Sequence, residues 1–342
     1  MYFVCFVVNN DVFIRFFLQF VVVFIMCKIF YGTYKDVDGI VLENSELRAT
    51  ILPQWGSKIA SLVYIPREAE LLWQETDAKF PKSEYGQPFG RAQSFGFDEM
   101  FPTINACRYA GGVWDGTPLP DHGEVWSLPW HYEIDGDRLR LWVYGVRLPY
   151  LLEKTVSLND NTLEIKYAAT NLSPFPLDYL WAAHPLFNLT PGARLLFPPT
   201  MTKILNAYSG EPLREYGREY DFPNATLEDG RVVDFATLAA PDGVGRQKYY
   251  FAAPMSEGWC DLNDPGTNLA IRLSFPPEIV RYLGVWFNQG WWEQQYNVAL
   301  EPATAAMDQP DLAKARNMSS TLPPHGKQTW FLHLAVKEFP KK

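Results

Sequence analysis

Acid–base chemistry needs a proton donor and a proton acceptor within reach of one reacting centre, and few side chains can do either near neutral pH. This chain has five histidines: His122, His131, His184, His325 and His333. His122 lies in Leu119-Pro120-Asp121-His122-Gly123-Glu124. The glycine after it lets backbone approach a ligand closely, and Asp121 and Glu124 are placed to orient the imidazole. An ordinary turn histidine reads the same way. His184 ends the hydrophobic stretch Trp181-Ala182-Ala183-His184, where a strand runs into a loop, and Pro185 holds its backbone extended. The alternative there is a core histidine with its hydrogen bonds met. Glu301 ends the apolar strand Val298-Ala299-Leu300-Glu301 and is followed by Pro302. A carboxylate in that position is costly unless paired or used, and burial would raise its proton affinity towards that of a general base. Otherwise it is a strand-end glutamate turned to solvent. His333 alternates with core residues and faces solvent, His325 sits in a Pro-Pro-His-Gly turn, and His131 opens a strand. None of these three is expected to react.

These groups need a scaffold, and the pattern around them is one of short strands. Leu139, Leu141 and Val143 alternate with Arg138, Arg140, Trp142 and Tyr144; Leu163 and Ile165 alternate with Thr162, Glu164 and Lys166. The same period recurs at Tyr282–Phe287 and at Trp330–Val336. Period two puts one face in and one face out. Asp135-Gly136 and Asn159-Asp160-Asn161 supply turns, and one short helix is expected from Pro310 to Asn317. The architecture is therefore all-β, a large antiparallel β-sandwich with few short helices, whose concave face or loops carry the site. The 12 Trp, 18 Tyr and 23 Phe suit strands and also make flat platforms for sugar rings.

Charged residues make up 20% of the chain and the net charge is −9, with no clustered basic face, so nucleic acid is excluded as a partner. Cys5, Cys27, Cys107 and Cys260 show no CxxC and no disulfide framework, which suits a reducing, cytoplasmic setting. Residues 1–30 differ from the rest and are nearly all apolar. Three readings compete: a membrane anchor, opposed by the charge of Arg15; an export signal, lacking a basic start and a small-residue cleavage site; or an extension ahead of a natural start at Met26. Residues 31–342 are expected to form one domain. A membrane partner arises only if the first segment is real.

In order along the chain stand His122-Gly123, then His184-Pro185-Leu186-Phe187-Asn188-Leu189, then Glu301-Pro302. Ahead of them is Pro53-Gln54-Trp55-Gly56-Ser57-Lys58-Ile59, and before Glu301 lies Gly284-Val285-Trp286-Phe287-Asn288 with Gly290-Trp291-Trp292. This succession resembles the aldose 1-epimerase, or galactose mutarotase-like, family over roughly residues 36 to 340. The resemblance implies a single β-supersandwich domain over residues 31–342 and an isomerase that interconverts the α and β anomers of a monosaccharide. It implies Glu301 as base, His184 as acid, His122 holding the sugar near its ring oxygen, and Trp286 and Asn288 as substrate contacts. No metal or organic cofactor is implied, and the protein would be a monomer or homodimer.

Two departures bear on substrate. The family's Asn-Arg pair is absent; Arg91, Asp98 and Glu99 stand in that region, and Lys248 stands where the family places a hydroxyl-binding aspartate. Arg91 and Lys248 would favour an anionic sugar such as a phosphate, sulfonate or uronate. Other readings are a non-catalytic carbohydrate-binding protein, a polysaccharide lyase or a glycoside hydrolase pairing Glu301 with Asp98 or Glu99, and a metal enzyme using two histidines and one glutamate. No HxH or HxxxH spacing supports the last.

Overall fold

The alternating segments all form strands: Arg138–Tyr144, Thr162–Asn171, Tyr282–Gln289 and Lys327–Glu338. The computed structural model describes residues 27–74, 81–90 and 94–339. Among them two large antiparallel sheets dominate, one of twelve strands and one of eight. The larger runs from Lys28–Tyr34 at one edge to Glu219–Asp221 at the other. The smaller runs from Arg194–Leu196 to His131–Asp135. Leu42, Ile59, Val285 and Leu300 of the larger sheet share a buried cluster with Leu141, Leu152, Ile165 and Leu332 of the smaller. Burial of this many branched side chains from facing sheets is what holds a sandwich closed.

The outer face of the larger sheet matters more for function. Along Tyr282–Gln289, Leu283, Val285 and Phe287 enter the main core, as period two requires. The alternate residues do not meet open solvent: Tyr282 and Asn288 are buried as well. Loops cover this face, so the middle strands are buried on both sides and carry polar groups only where something offsets them.

The Pro310–Ala315 helix forms where expected, with proline at its first turn and Asp311 near its positive end. Gly136 and Asp160 take positive φ in the two expected turns. The boundary at residue 30 needs correction. Lys28–Tyr34 pairs with Val37–Glu43 along its whole length, starting with Lys28 opposite Glu43, so Lys28–Phe30 belong to the sheet and not to the apolar extension. The readings of residues 1–26 lie outside the described residues. Among those described, no helix is long and apolar enough to cross a membrane.

Candidate active site

Five neighbouring strands of the larger sheet bring one row of residues to the covered face. Asp98 lies opposite His184, Gly284 opposite Glu301, and Tyr250 opposite Gly284. The strands Ala182–Asn188 and Tyr296–Ala303 pair at Ala182↔Ala303 and again at Leu186↔Ala299. The interruption between these pairs contains Pro185, which has no N–H to give to the ladder. His184 and Glu301 face each other there, with Nε2 3.9 Å from Oε1. His184 is thus in mid-strand, not at the strand-to-loop junction expected from its sequence. Gly284 leaves the space that Glu301 occupies: a Cβ there would come within 3.4 Å of Glu301 Oε2 and 3.1 Å of the Tyr250 ring.

Glu301 is fully buried and His184 nearly so. Burial raises the proton affinity of Glu301, and the nearby Asp308 charge adds to this, while Lys248 opposes it. Burial also drives His184 well below the usual imidazole range, helped by His122 and Lys248. Burial thus moves the two groups in opposite directions, the carboxyl up and the imidazole down. Lys248 Nζ sits 2.8 Å from Glu301 Oε2 and 3.1 Å from Asp308 Oδ1. Burial lowers its proton affinity, but the Asp308 and Glu301 carboxylates outweigh that and raise it above the usual lysine range. Tyr250 Oη donates to the same Asp308 oxygen at 2.6 Å.

His122 reaches the site from a loop. Its ring lies 5.5 Å from that of His184, edge to face, and stacks on Phe89 at 4.0 Å. Asp121 ties the two residues together: one oxygen is 3.0 Å from His122 Nδ1 and the other accepts the Phe89 backbone N–H at 2.9 Å. Burial would raise the Asp121 carboxyl, yet His122 and the backbone N–H groups hold it below its usual range. His122 takes φ 58°, and Gly123 follows at 74°. The close approach at Gly123 is to protein, not ligand: a Cβ would fall 2.2 Å from the Phe101 carbonyl oxygen. Glu124 does not reach His122. It accepts hydrogen bonds from Tyr85, Tyr150 and the Arg147 N–H.

A cavity of about 480 Å³ opens above His184, Glu301 and His122, within the range of small-molecule sites. Tyr208, Trp286, Trp291 and Trp292 supply its aromatic walls. Trp286 and Asn288 both line it. The Asn288 amide is engaged with its own hairpin, donating to the Trp292 carbonyl and accepting from the Gly290 and Trp292 N–H groups. Lys248 lines the cavity too, but its charge is matched by Glu301 and Asp308.

Asp98 and Glu99 are placed elsewhere. Asp98 is buried beside the His184 strand and paired with Lys58. Glu99 points to the opposite face, where Lys154, Tyr167 and the Trp181 indole hold it at 3.1, 2.8 and 3.0 Å. Neither lines the cavity, which corrects the expectation that they touch substrate. Arg91 lies outside the described residues. His131 is exposed and stacked on Trp142, His325 sits in a turn, and His333 is half-buried against Phe331 rather than fully in solvent. Asp308, Tyr250 and Phe89 complete the site without any sequence motif to announce them. Among the described residues no group of three His, Cys, Asp or Glu side chains is arranged to hold a metal ion.

No protein-family model and no curated protein sequence matches this chain. Solved structures do. A galactose mutarotase-like protein from Clostridium acetobutylicum is similar with a TM-score of 0.67 at 15% identity, covering 92% of this chain and 99% of that one. One from Lactobacillus casei gives 0.64 at 18%, covering 87% and 100%. An Escherichia coli K12 protein provisionally named an aldose 1-epimerase gives 0.64 at 16%, covering 92% and 100%. At such identities the likeness establishes the fold: this is a galactose mutarotase-like β-sandwich.

Proposed function

We propose that this protein is a mutarotase, interconverting the α and β anomers of a reducing monosaccharide by acid–base ring opening. The observation that carries the reading is the His184–Glu301 pair, 3.9 Å apart and buried at the floor of an aromatic-walled cavity. Mutarotation moves two protons and consumes none. One group takes the proton of the C1 hydroxyl. The O1–H electrons become the C1=O π bond, the C1–O5 bond breaks onto O5, and a second group protonates it. The aldehyde turns about C1–C2, and the same two groups reverse their work on the other face. Glu301 is assigned as base and His184 as acid.

The environment suits this exchange. Each forward step turns an ionised pair into a neutral one, and each return undoes it. Because burial lowers His184 and raises Glu301, the neutral pair gains relative to the ionised one, which favours the forward transfer. His122, clamped by Asp121 and Phe89, stands beside His184 to hold the sugar near its ring oxygen. The aromatic walls offer apolar faces to the C–H surfaces of a pyranose. The hydrolase alternative called for Asp98 or Glu99 across from Glu301, and those carboxylates are bound to Lys58 and Lys154 instead.

The test is exchange NMR at the anomeric carbon, or polarimetry, on freshly dissolved glucose, galactose, glucose 6-phosphate and a uronate. Acceleration by the wild type that is lost in Glu301→Gln and His184→Ala supports the reading. Sugar binding without acceleration would instead make this a carbohydrate-binding protein, and release of reducing ends from a polysaccharide would make it a hydrolase.

A further inference from the structure

Asp308 has no place in the acid–base scheme, yet its position is unusually constrained. It follows Glu301 by seven residues, beyond the end of the Tyr296–Ala303 strand. Met307 and Asp308 both take left-handed backbone conformations, φ 70° and 64°, which cost non-glycine residues free energy and persist only where surrounding structure enforces them. That enforcement is visible. The Asp308 carbonyl accepts from the Ile104 and Asn105 N–H groups at 3.0 and 2.9 Å and from the Thr103 hydroxyl at 3.1 Å. The carboxylate is thereby delivered, 2% exposed, to the wall of the cavity. There it meets the Tyr250 hydroxyl and the Lys248 ammonium, and Lys248 in turn meets Glu301.

We infer that Asp308 is a positioning residue, holding the Lys248 ammonium between two carboxylates so that Glu301 is fixed in place yet not fully neutralised by its cation. One ammonium serves two buried carboxylates, which leaves a net negative charge on the trio. Were Asp308 uncharged, Lys248 would belong to Glu301 alone, and such a pair would be a poorer proton acceptor. The groups facing Glu301 are His184 from the adjoining strand, Lys248 and Tyr250 from Arg246–Phe251, His122 from its loop, and Asp308. Asp98 lies beyond His184 and is matched by Lys58.

The test combines a titration and a rate. Glutamate carboxyl carbons are labelled with 13C, the Glu301 signal is identified by its loss in Glu301→Gln, and its titration is followed in the wild type, Asp308→Asn and Tyr250→Phe. In Asp308→Asn the Glu301 titration should move to lower pH by about one unit, the size of a nearby like charge removed. In Tyr250→Phe, which keeps every charge, Asp308 leans on Lys248 alone and draws it from Glu301, so the titration should move the other way. Asp308→Glu should keep the wild-type midpoint. A Glu301 titration unmoved in folded Asp308→Asn overturns the inference; should that variant not fold, an unmoved titration in Tyr250→Phe overturns it equally. The kinetic arm rests on the mutarotase reading: kcat should fall at least tenfold in Asp308→Asn with KM little changed, and the acid limb of the rate profile should follow the NMR midpoint. Shifted titrations in a protein that accelerates no sugar would leave Asp308 in its role and reject the mutarotase reading alone.

Discussion

His184 and Glu301 face one another at 3.9 Å because the ladder between their strands opens around Pro185. The gap is too long for a hydrogen bond. In the proposed mechanism the two groups each reach a substrate atom rather than one another. Replacing either should leave the sandwich folded and remove the activity. Glu301→Gln and His184→Ala are each expected to slow anomer exchange by about 10²–10⁴-fold. The double variant should be little worse than either single one, since one half of the relay has no use without the other. Exchange NMR on the three proteins, with circular dichroism to check the fold, decides this.

The pH dependence follows from the directions of the two shifts. Burial raises the proton affinity of Glu301 and lowers that of His184. At low pH both carry protons and no base is left. At high pH both have lost them and no acid is left. A bell in kcat/KM is therefore expected, its Glu301 limb moved up and its His184 limb moved down from the ordinary positions of the two groups. A flat profile from pH 5 to 8 would show that this pair does not set the rate.

How far the sequence carries this can be judged at particular residues. His184 and Glu301 were legible because each is a polar group ending an apolar run and followed by proline, a combination that needs a reason. Period-two alternation pointed to the sandwich, and the chain order of the motifs added the family resemblance. Glu99 was misplaced for a reason open to sequence logic: consecutive strand residues point to opposite faces, so it could not share a cavity with Asp98. Asp98 lies on the covered face but is taken up by Lys58, a partner forty residues away in the chain. Gly123 was misread because a local pattern does not say what approaches a glycine; here it is the Phe101 backbone. Asp308 was not legible at all. Its role depends on two left-handed residues and on donors from residues 103–105, about two hundred positions away in the chain.

The charge of Lys248 bears on substrate choice. The sequence placed this lysine where it could read an anionic sugar, but it lies against two carboxylates. Little of its field is left for a ligand. Lys248 is therefore expected to give no advantage to an anion, and glucose and glucose 6-phosphate should bind with dissociation constants within about tenfold, or 1.4 kcal/mol. Titration calorimetry at fixed ionic strength measures this. Arg246 is the informative control. Its guanidinium stacks 3.3 Å over Trp291, gives only its Nε to Tyr208, and has no carboxylate within ion-pair distance among the described residues. A large preference for the phosphate that disappears in Arg246→Gln would place anion recognition at the cavity rim.

Glu99 gives the clearest stability prediction, because its carboxylate is 1% exposed and every partner is also buried. Lys154 donates to it and to the Ser57 carbonyl at 2.8 Å, while Tyr167 and Trp181 supply neutral donors. Glu99→Ala would strand the Lys154 ammonium in the core together with two unsatisfied donors. Breaking a buried pair from one side typically costs about 3–5 kcal/mol. Glu99→Gln keeps an acceptor for Tyr167 or Trp181 and should cost less. Lys154→Met paired with Glu99→Leu should recover much of the loss, since an apolar pair leaves no charge behind. Denaturant unfolding ranks the three. Because Glu99 lies on the core side of the sheet, the folded fraction of each variant should retain the wild-type KM, whereas a raised KM at normal stability would return Glu99 to the substrate site.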